Sequence, residues 1–125
     1  MNLLIIGAGS FSTEIEEIAR LLGYEDIAFL DDNPDKAKAH PVIGTMDDIK
    51  KYSAKYDNAL VALGNNQNRL KYHAILEECN YNIPILIHPT AYVSPDAKLA
   101  PGCIIRTFAV IGRYAVLGKA TILNI

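Results

Sequence analysis

Two hydrophobic periods divide the chain. Up to Leu63, short unbroken apolar runs alternate with helically spaced ones, whereas from Ile87 onward an aliphatic side chain returns at every sixth position. Leu3, Leu4, Ile5 and Ile6 form the continuous run expected of a strand buried on both faces of a parallel sheet. Gly7 then turns the chain. From Ser12 onward Ile15, Ile18, Ala19 and Leu22 recur at helical spacing, with Glu14, Glu16 and Glu17 toward the positive helix end and Gly23 as its stop. Ile27 to Leu30 reads as a second strand ending at Asp31 and Asp32, after which Asn33 and Pro34 break regular structure. Thr45 and Asp48 form an aspartate version of the capping box for a short helix through Tyr52. Ala59 to Leu63 predicts a third buried strand and Gly64-Asn65-Asn66 a turn. Leu70, Ala74, Ile75, Leu76 and Cys79 then place a helix between Asn68 and Cys79. Ile83 to Ile87, interrupted by Pro84, reads as a last strand near the sheet edge. The alternation predicts an α/β unit over residues 1–86, a Rossmann-like parallel sheet with flanking helices that binds ligands beyond its C-terminal strand ends.

The second period is sharper. Ile87, Val93, Leu99, Ile105, Ile111, Leu117 and Leu123 form an unbroken series, and four residues after each of the first six comes a small side chain: Ala91, Ala97, Cys103, Ala109, Ala115 and Thr121. Two inward positions per hexad are the sequence form of a parallel β-helix, in which three short strands close one triangular coil. Residues 87–125 therefore predict the start of a left-handed parallel β-helix of about two coils, 87–104 and 105–122. Such stacks generally need about three repeats to bury a continuous core, so a truncated chain is expected. Ile104, Val110, Val116 and Ile122, each just before an inward aliphatic, are expected to point outward and form a subunit interface, with Ile104 and Ile122 sharing one face. Incidental surface β-formers are the alternative.

Composition narrows the function classes. The chain has 125 residues, half of them hydrophobic and 21% charged, with a net charge of −2. That balance predicts a folded domain and gives no electrostatic footprint for nucleic acid or an anionic membrane. No apolar span reaches the length of a membrane helix, and the run at Leu3 lacks the basic stretch of a secretory signal. Cys79 and Cys103 stand far apart, outside any C-x-x-C pattern, so neither a disulfide framework nor a metal site is suggested and a cytoplasmic setting is expected.

The candidate chemistry gathers at predicted strand ends. Gly7-Ala8-Gly9 begins a G-x-G-x-x-G pattern with Ser12 in place of the third glycine, a loop through which a phosphate can approach the backbone and the helix N-terminus. Gly7, Gly9, Ser10, Phe11 and Ser12 are thus candidate ligand contacts; a turn that only packs strand on helix is the competing reading. Asp31 and Asp32 stand where an acidic side chain can accept hydrogen bonds from a ribose, or are a solvated strand end. Gly64, Asn65 and Asn66 should lie at the same edge, with Asn65 able to bind polar ligand groups and Asn66 able to cap the next helix. Arg69 can reach a phosphate from that helix or simply be a solvated arginine.

The segments IIGAGSFSTEI, FLDDNP, PVIGTMDDI, ALGNNQNR and LIHPTAYVSPDAKLAPGCII, followed by hexads, resemble the sialic acid O-acetyltransferase family, which includes N-acetyltransferases acting on UDP-4-amino sugars. The resemblance covers essentially the whole chain. It implies that the N-terminal unit binds a sugar, commonly nucleotide-linked, through Gly9, Ser10, Asp31, Asp32, Asn65 and Asn66. It also implies a β-helix that forms a homotrimer and binds acetyl-CoA between subunits. Ser12 and Thr13 depart from the glycine and basic residue often found there. The family's histidine base, which takes the acceptor proton as the thioester is attacked, is expected just beyond Asn124 and Ile125. His40, His73 and His88 do not fit that position, so this chain is expected to carry no catalytic residue and to show negligible acetyltransferase activity. Two other readings stay open: a non-catalytic sugar-nucleotide binding or assembly module, and an NAD-dependent oxidoreductase fragment.

Overall fold

A computed structural model describes residues 1–33 and 41–124. Pro34, His40 and Ile125 lie outside the described residues. Strands β1 (Asn2–Ile6), β2 (Asp26–Leu30), β3 (Val42–Gly44) and β4 (Ala59–Val61) form a parallel sheet in the order β3-β2-β1-β4. Leu3, Leu4, Ile5 and Ile6 are fully buried because successive side chains of this central strand feed opposite layers. Leu3 and Ile5 join Ile27, Phe29 and Leu60 against Ile15, Ile18 and Ala19 of helix α1 (Ser10–Leu21). On the other face, Leu4 and Ile6 join Ala28, Leu30 and Val61 against Ile49 of the short helix α2 (Ile49–Tyr52) and Leu76 of α3 (Asn66–Glu78). Each fully buried aliphatic contributes roughly 1.5–3 kcal/mol through removal from water.

The Thr45–Asp48 capping box forms, over a 3₁₀ turn at Met46–Asp48 that runs into α2. Three local expectations are corrected. Helix α1 begins at Ser10 rather than Ser12, so Glu14, Glu16 and Glu17 fall beyond its first turn; Glu14 and Glu16 instead pair with Arg106 and Arg20. Helix α3 exposes Leu70 and Ala74, and it buries His73 and Leu76. Residues 83–87 add no strand to the sheet. Asn82 makes a single parallel bridge to Asn58, Pro84 has no N–H to continue it, and Leu86–Ile87 leave as the first strand of the β-helix. The short edge strand β3 carries no hydrophobic run that would reveal it in sequence.

Hexads then wind as expected. Strands β5 (Leu86–Ile87), β8 (Ile104–Ile105) and β11 (Ile122–Leu123) stack in parallel on one side; β6 (Tyr92–Val93) and β9 (Val110–Ile111) form the second side, and β7 (Lys98–Leu99) and β10 (Val116–Leu117) the third. Leu86, Ile104 and Ile122 stand in register, the repeat of a three-sided coil. Cys103, Ile105, Ala109 and Ile111 make the buried interior with Ile87, Val93, Leu99, Leu117 and the small residues Ala91, Ala97 and Ala115.

Ile104 and Ile122 do share one outward side, but that side is not a free interface. Together with Leu86 they pack into the sheet's own apolar layer beside Ile15 and Phe29, and Ile104 is fully buried. Val110 and Val116, on the other two sides, remain exposed.

The coil corners adopt positive φ at a six-residue spacing: Gly102, Phe108, Tyr114 and Ala120. Gly102 and Ala120 form the corner that meets α3. A Cβ on Gly102 would lie 2.8 Å from the ring of His73, which is buried without a hydrogen-bond partner for either nitrogen. Burial lowers the His73 pKa; the carboxylate of Glu77, 3.8 Å from Nε2, opposes this, and Lys119 reinforces it.

Two expectations follow from this corner. Gly102→Ala combines left-handed strain with a ring clash and should destabilise by about 2–4 kcal/mol in urea denaturation, while His73→Ala in the same chain should recover part of the loss. Because the folded His73 pKa is depressed, its contribution is complete above the ordinary histidine pKa of about 6.5 and is lost as pH falls through the folded value. His73→Leu should therefore flatten the decline of unfolding free energy on acidification relative to wild type; an unchanged slope would assign the decline to other groups.

Candidate functional site

The C-terminal ends of β1 and β4, the start of α1 and one corner of the β-helix converge on a single region. Gly7 has φ +108, and a Cβ there would stand 2.7 Å from Leu63 Cδ2, so the turn itself demands glycine. Gly9 is different. Its backbone is extended, and an added Cβ would meet nothing within 4 Å. Among the described residues no packing requires glycine at this position, and its open side leaves room for an incoming group to approach the backbone. Gly9 caps α1 without a side-chain hydrogen bond, and among the described residues none accepts from the N–H groups of Gly9, Ser10 or Phe11. Those donors face the solvent-accessible end of a 12-residue helix, whose partial positive charge favours an anion.

Ser12, in place of the third glycine, is fully buried; its hydroxyl donates to the Gly9 carbonyl at 2.5 Å. The side chain thus closes the loop on itself. Asp31 is buried and accepts from the Ala8 N–H through Oδ2 at 2.8 Å and from the Asn33 N–H through Oδ1 at 2.8 Å. Asp32 is exposed and accepts from the Met46 N–H at 3.0 Å. Both aspartates therefore knit the strand ends together, with Asp31 fixing the glycine loop.

Beyond β4, Gly64, Asn65 and Asn66 are exposed. Asn65, rather than Asn66, caps α3, its Oδ1 accepting from the Asn68 N–H at 2.9 Å. Arg69 is partly buried and has a partner on each nitrogen: Nε donates to the Ala120 carbonyl at 2.7 Å, Nη1 to the Leu63 carbonyl at 3.0 Å, and Nη2 to Asn66 Oδ1 at 2.6 Å. Burial lowers its pKa from the ordinary arginine value. It ties α3 to the β-helix.

Phe11, Gly64, Asn66 and Arg69 line a cleft of about 300 Å³ that Arg106, Ile122 and Asn124 complete from the β-helix. Sequence reasoning missed Arg106 and Asn124. The available signal was the position just after each inward aliphatic, where every third hexad carries a longer polar side chain: His88, Arg106 and Asn124. Arg106 bonds Asn124 Oδ1 through Nη1 and Glu14 through Nη2, and its guanidinium carbon lies 5.1 Å from the Phe11 ring centre. The bond to Glu14 raises its pKa against the cost of burial. His88 faces its own turn, where Nδ1 lies 2.9 Å from Thr90 Oγ1. His73 is the buried wedge at Gly102. Among the described residues no cluster of His, Cys, Asp or Glu can hold a metal ion, and no helix is long and apolar enough to cross a membrane.

A family model described as the PglD N-terminal domain matches residues 2–76. Among solved structures, the acetyltransferase domain of PglB from Neisseria gonorrhoeae, in complex with acetyl coenzyme A, is 35% identical over 98% of this chain with a TM-score of 0.91. A variant of perosamine N-acetyltransferase from Caulobacter crescentus, in complex with CoA and GDP-perosamine, is 27% identical over 99% of this chain, also at 0.91. The chain covers 61% and 60% of those two structures respectively. The N-terminal sheet, glycine loop and capped turn all lie within the matched residues, and the chain belongs to the PglD N-terminal domain family.

Proposed function

We propose that this chain is the acceptor-binding part of an acetyl-CoA-dependent sugar N-acetyltransferase, and that it holds a nucleotide-linked amino sugar at the mouth of the glycine loop. The observation that carries the reading is the open Gly9 backbone at the α1 N-terminus beside a cleft shared by the sheet and the β-helix. The helix end suits the diphosphate. Gly64 and Asn66, with Phe11 and Ile122 as apolar walls, suit a hydroxyl-rich ring, while both cleft arginines already spend donors on internal partners. GDP-perosamine in the Caulobacter structure and acetyl coenzyme A in the Neisseria one support the two substrate classes.

In the reaction so proposed, the acceptor nitrogen attacks the thioester carbonyl, the nitrogen loses a proton to a base, and the CoA thiol leaves. His73 is buried and His88 is turned to Thr90, so neither is placed to act as that base in the cleft. In this proposal residues 1–124 supply binding and orientation. A homotrimer is part of the same proposal. Tyr92, Val110 and Val116 are exposed on the two β-helix sides that the sheet leaves uncovered, which supports contact between copies there.

The oxidoreductase alternative meets a specific objection. Both Asp31 oxygens accept backbone N–H groups of this chain, and β-helix occupies the place of a second mononucleotide half.

Calorimetric titration should show binding of UDP- or GDP-linked amino sugars and none of NAD; tight binding of NAD alone would reverse the assignment. No turnover of acetyl-CoA with an amino sugar is expected from residues 1–125 alone. Sedimentation at rising concentration should show self-association that Val110→Asp with Val116→Asp abolishes, and a monomer throughout would remove the trimer from the proposal.

A further inference from the structure

Arg106 is a cleft side chain that makes polar contacts with both the glycine-loop helix and the last coil. It leaves the end of β8, the strand whose Ile104 is buried in the sheet's layer, and its backbone N–H donates to the Leu123 carbonyl at 3.1 Å. From that anchored base the guanidinium packs over Phe11, pairs with Glu14 one turn into α1, and holds Asn124 on the next coil. Its Nε is buried with no hydrogen-bond partner. A planar fork is needed to reach Glu14 and Asn124 at once while stacking on a ring, and a lysine ammonium cannot do all three.

The apolar packing of Leu86, Ile104 and Ile122 already joins the two parts, so Arg106 is not required merely to hold them together. Its contacts fix something narrower: the position of Phe11, and with it the open end of α1, relative to Asn124 across the cleft. A group bound only at the helix end would not sense that distance. A ligand spanning from the helix end to the coil would.

We propose that Arg106 is a positioning residue that sets the separation between the anion-binding end of α1 and the β-helix wall, so that the chain selects a nucleotide carrying a sugar over the bare nucleotide. The inference rests on the nucleotide-sugar reading above. It predicts a split that a purely structural role would not produce. Arg106→Gln removes the pairing to Glu14 and the stacked fork, and should weaken binding of the nucleotide-linked amino sugar about tenfold, the order expected for one lost charge-assisted interaction. Binding of UDP or GDP alone should stay within about twofold of wild type. Arg106→Lys should recover little of the sugar-dependent part, and the exchange Glu14→Arg with Arg106→Glu should recover more.

The test is calorimetry of the folded 125-residue chain and these variants with a UDP- or GDP-linked amino sugar and with the matching nucleoside diphosphate, each variant's melting temperature being measured alongside. Sugar-dependent loss with unchanged nucleotide affinity supports the positioning role. Equal loss for both ligands, or unchanged affinity for both despite a lowered melting temperature, overturns it. A wild-type chain that binds the nucleotide but gains nothing from the sugar also overturns it, while leaving nucleotide binding intact. Failure to bind either ligand overturns the nucleotide-sugar reading itself and this inference with it. Should Arg106→Gln fail to fold, Glu14→Gln breaks the same pair from α1 and carries the same expectation.

Discussion

The docking of one β-helix side onto the parallel sheet is the constraint from which the rest of the molecule follows. Leu86, Ile104 and Ile122 sit in the same apolar layer as Ile15, Phe29 and Leu60, so the two architectures share a core instead of meeting through a linker. Hydrophobic burial of this kind is non-directional and would tolerate small slides. The polar contacts around it supply the direction: Arg106 to Glu14, Arg69 to the Ala120 carbonyl, and the His73 ring seated on Gly102. Apolar packing sets that the parts stay together, and these three contacts set the angle.

That angle creates the cleft. Without the coil corners the α1 N-terminus and the Gly64-Asn65-Asn66 turn would be two separate surface features at the edge of a sheet. The β-helix joins Phe11 of the first and Gly64 and Asn66 of the second into one depression lined from both parts. The same contacts explain why Arg69 and Asp31, chemically attractive as ligand groups, are committed internally: a region assembled from several loops needs its backbone carbonyls and N–H groups satisfied before it can present a stable face to anything else.

How much of this was legible in the sequence differs by period. The hexads were readable to the residue because each inward position faces a narrow coil interior that admits only an aliphatic or a small side chain. Strands β1, β2 and β4 were readable because burial on both faces leaves no room for a polar residue. The edge strand β3 was not, since an exposed edge imposes no such rule, and residues 83–87 misled because an apolar run cannot say which sheet it will join. The sequence marked Gly7 and Gly9 as the turn after β1, but it did not mark Arg106, whose contact with Glu14 lies across the fold, where no local pattern records it. Asp31 was located correctly, although its carboxylate serves the backbone of Ala8 and Asn33.

The left-handed corners carry an evolutionary corollary. Since Gly102, Phe108, Tyr114 and Ala120 recur at fixed spacing between strands only two residues long, losing or gaining one amino acid inside a side would swap every later inward side chain for an outward one. Whole loops extruded at a vertex would leave that parity intact. Length variation among homologues should therefore collect at Phe108 and Tyr114, whose vertices face solvent, and avoid the vertex of Gly102 and Ala120, where α3 leaves no space for an extra residue.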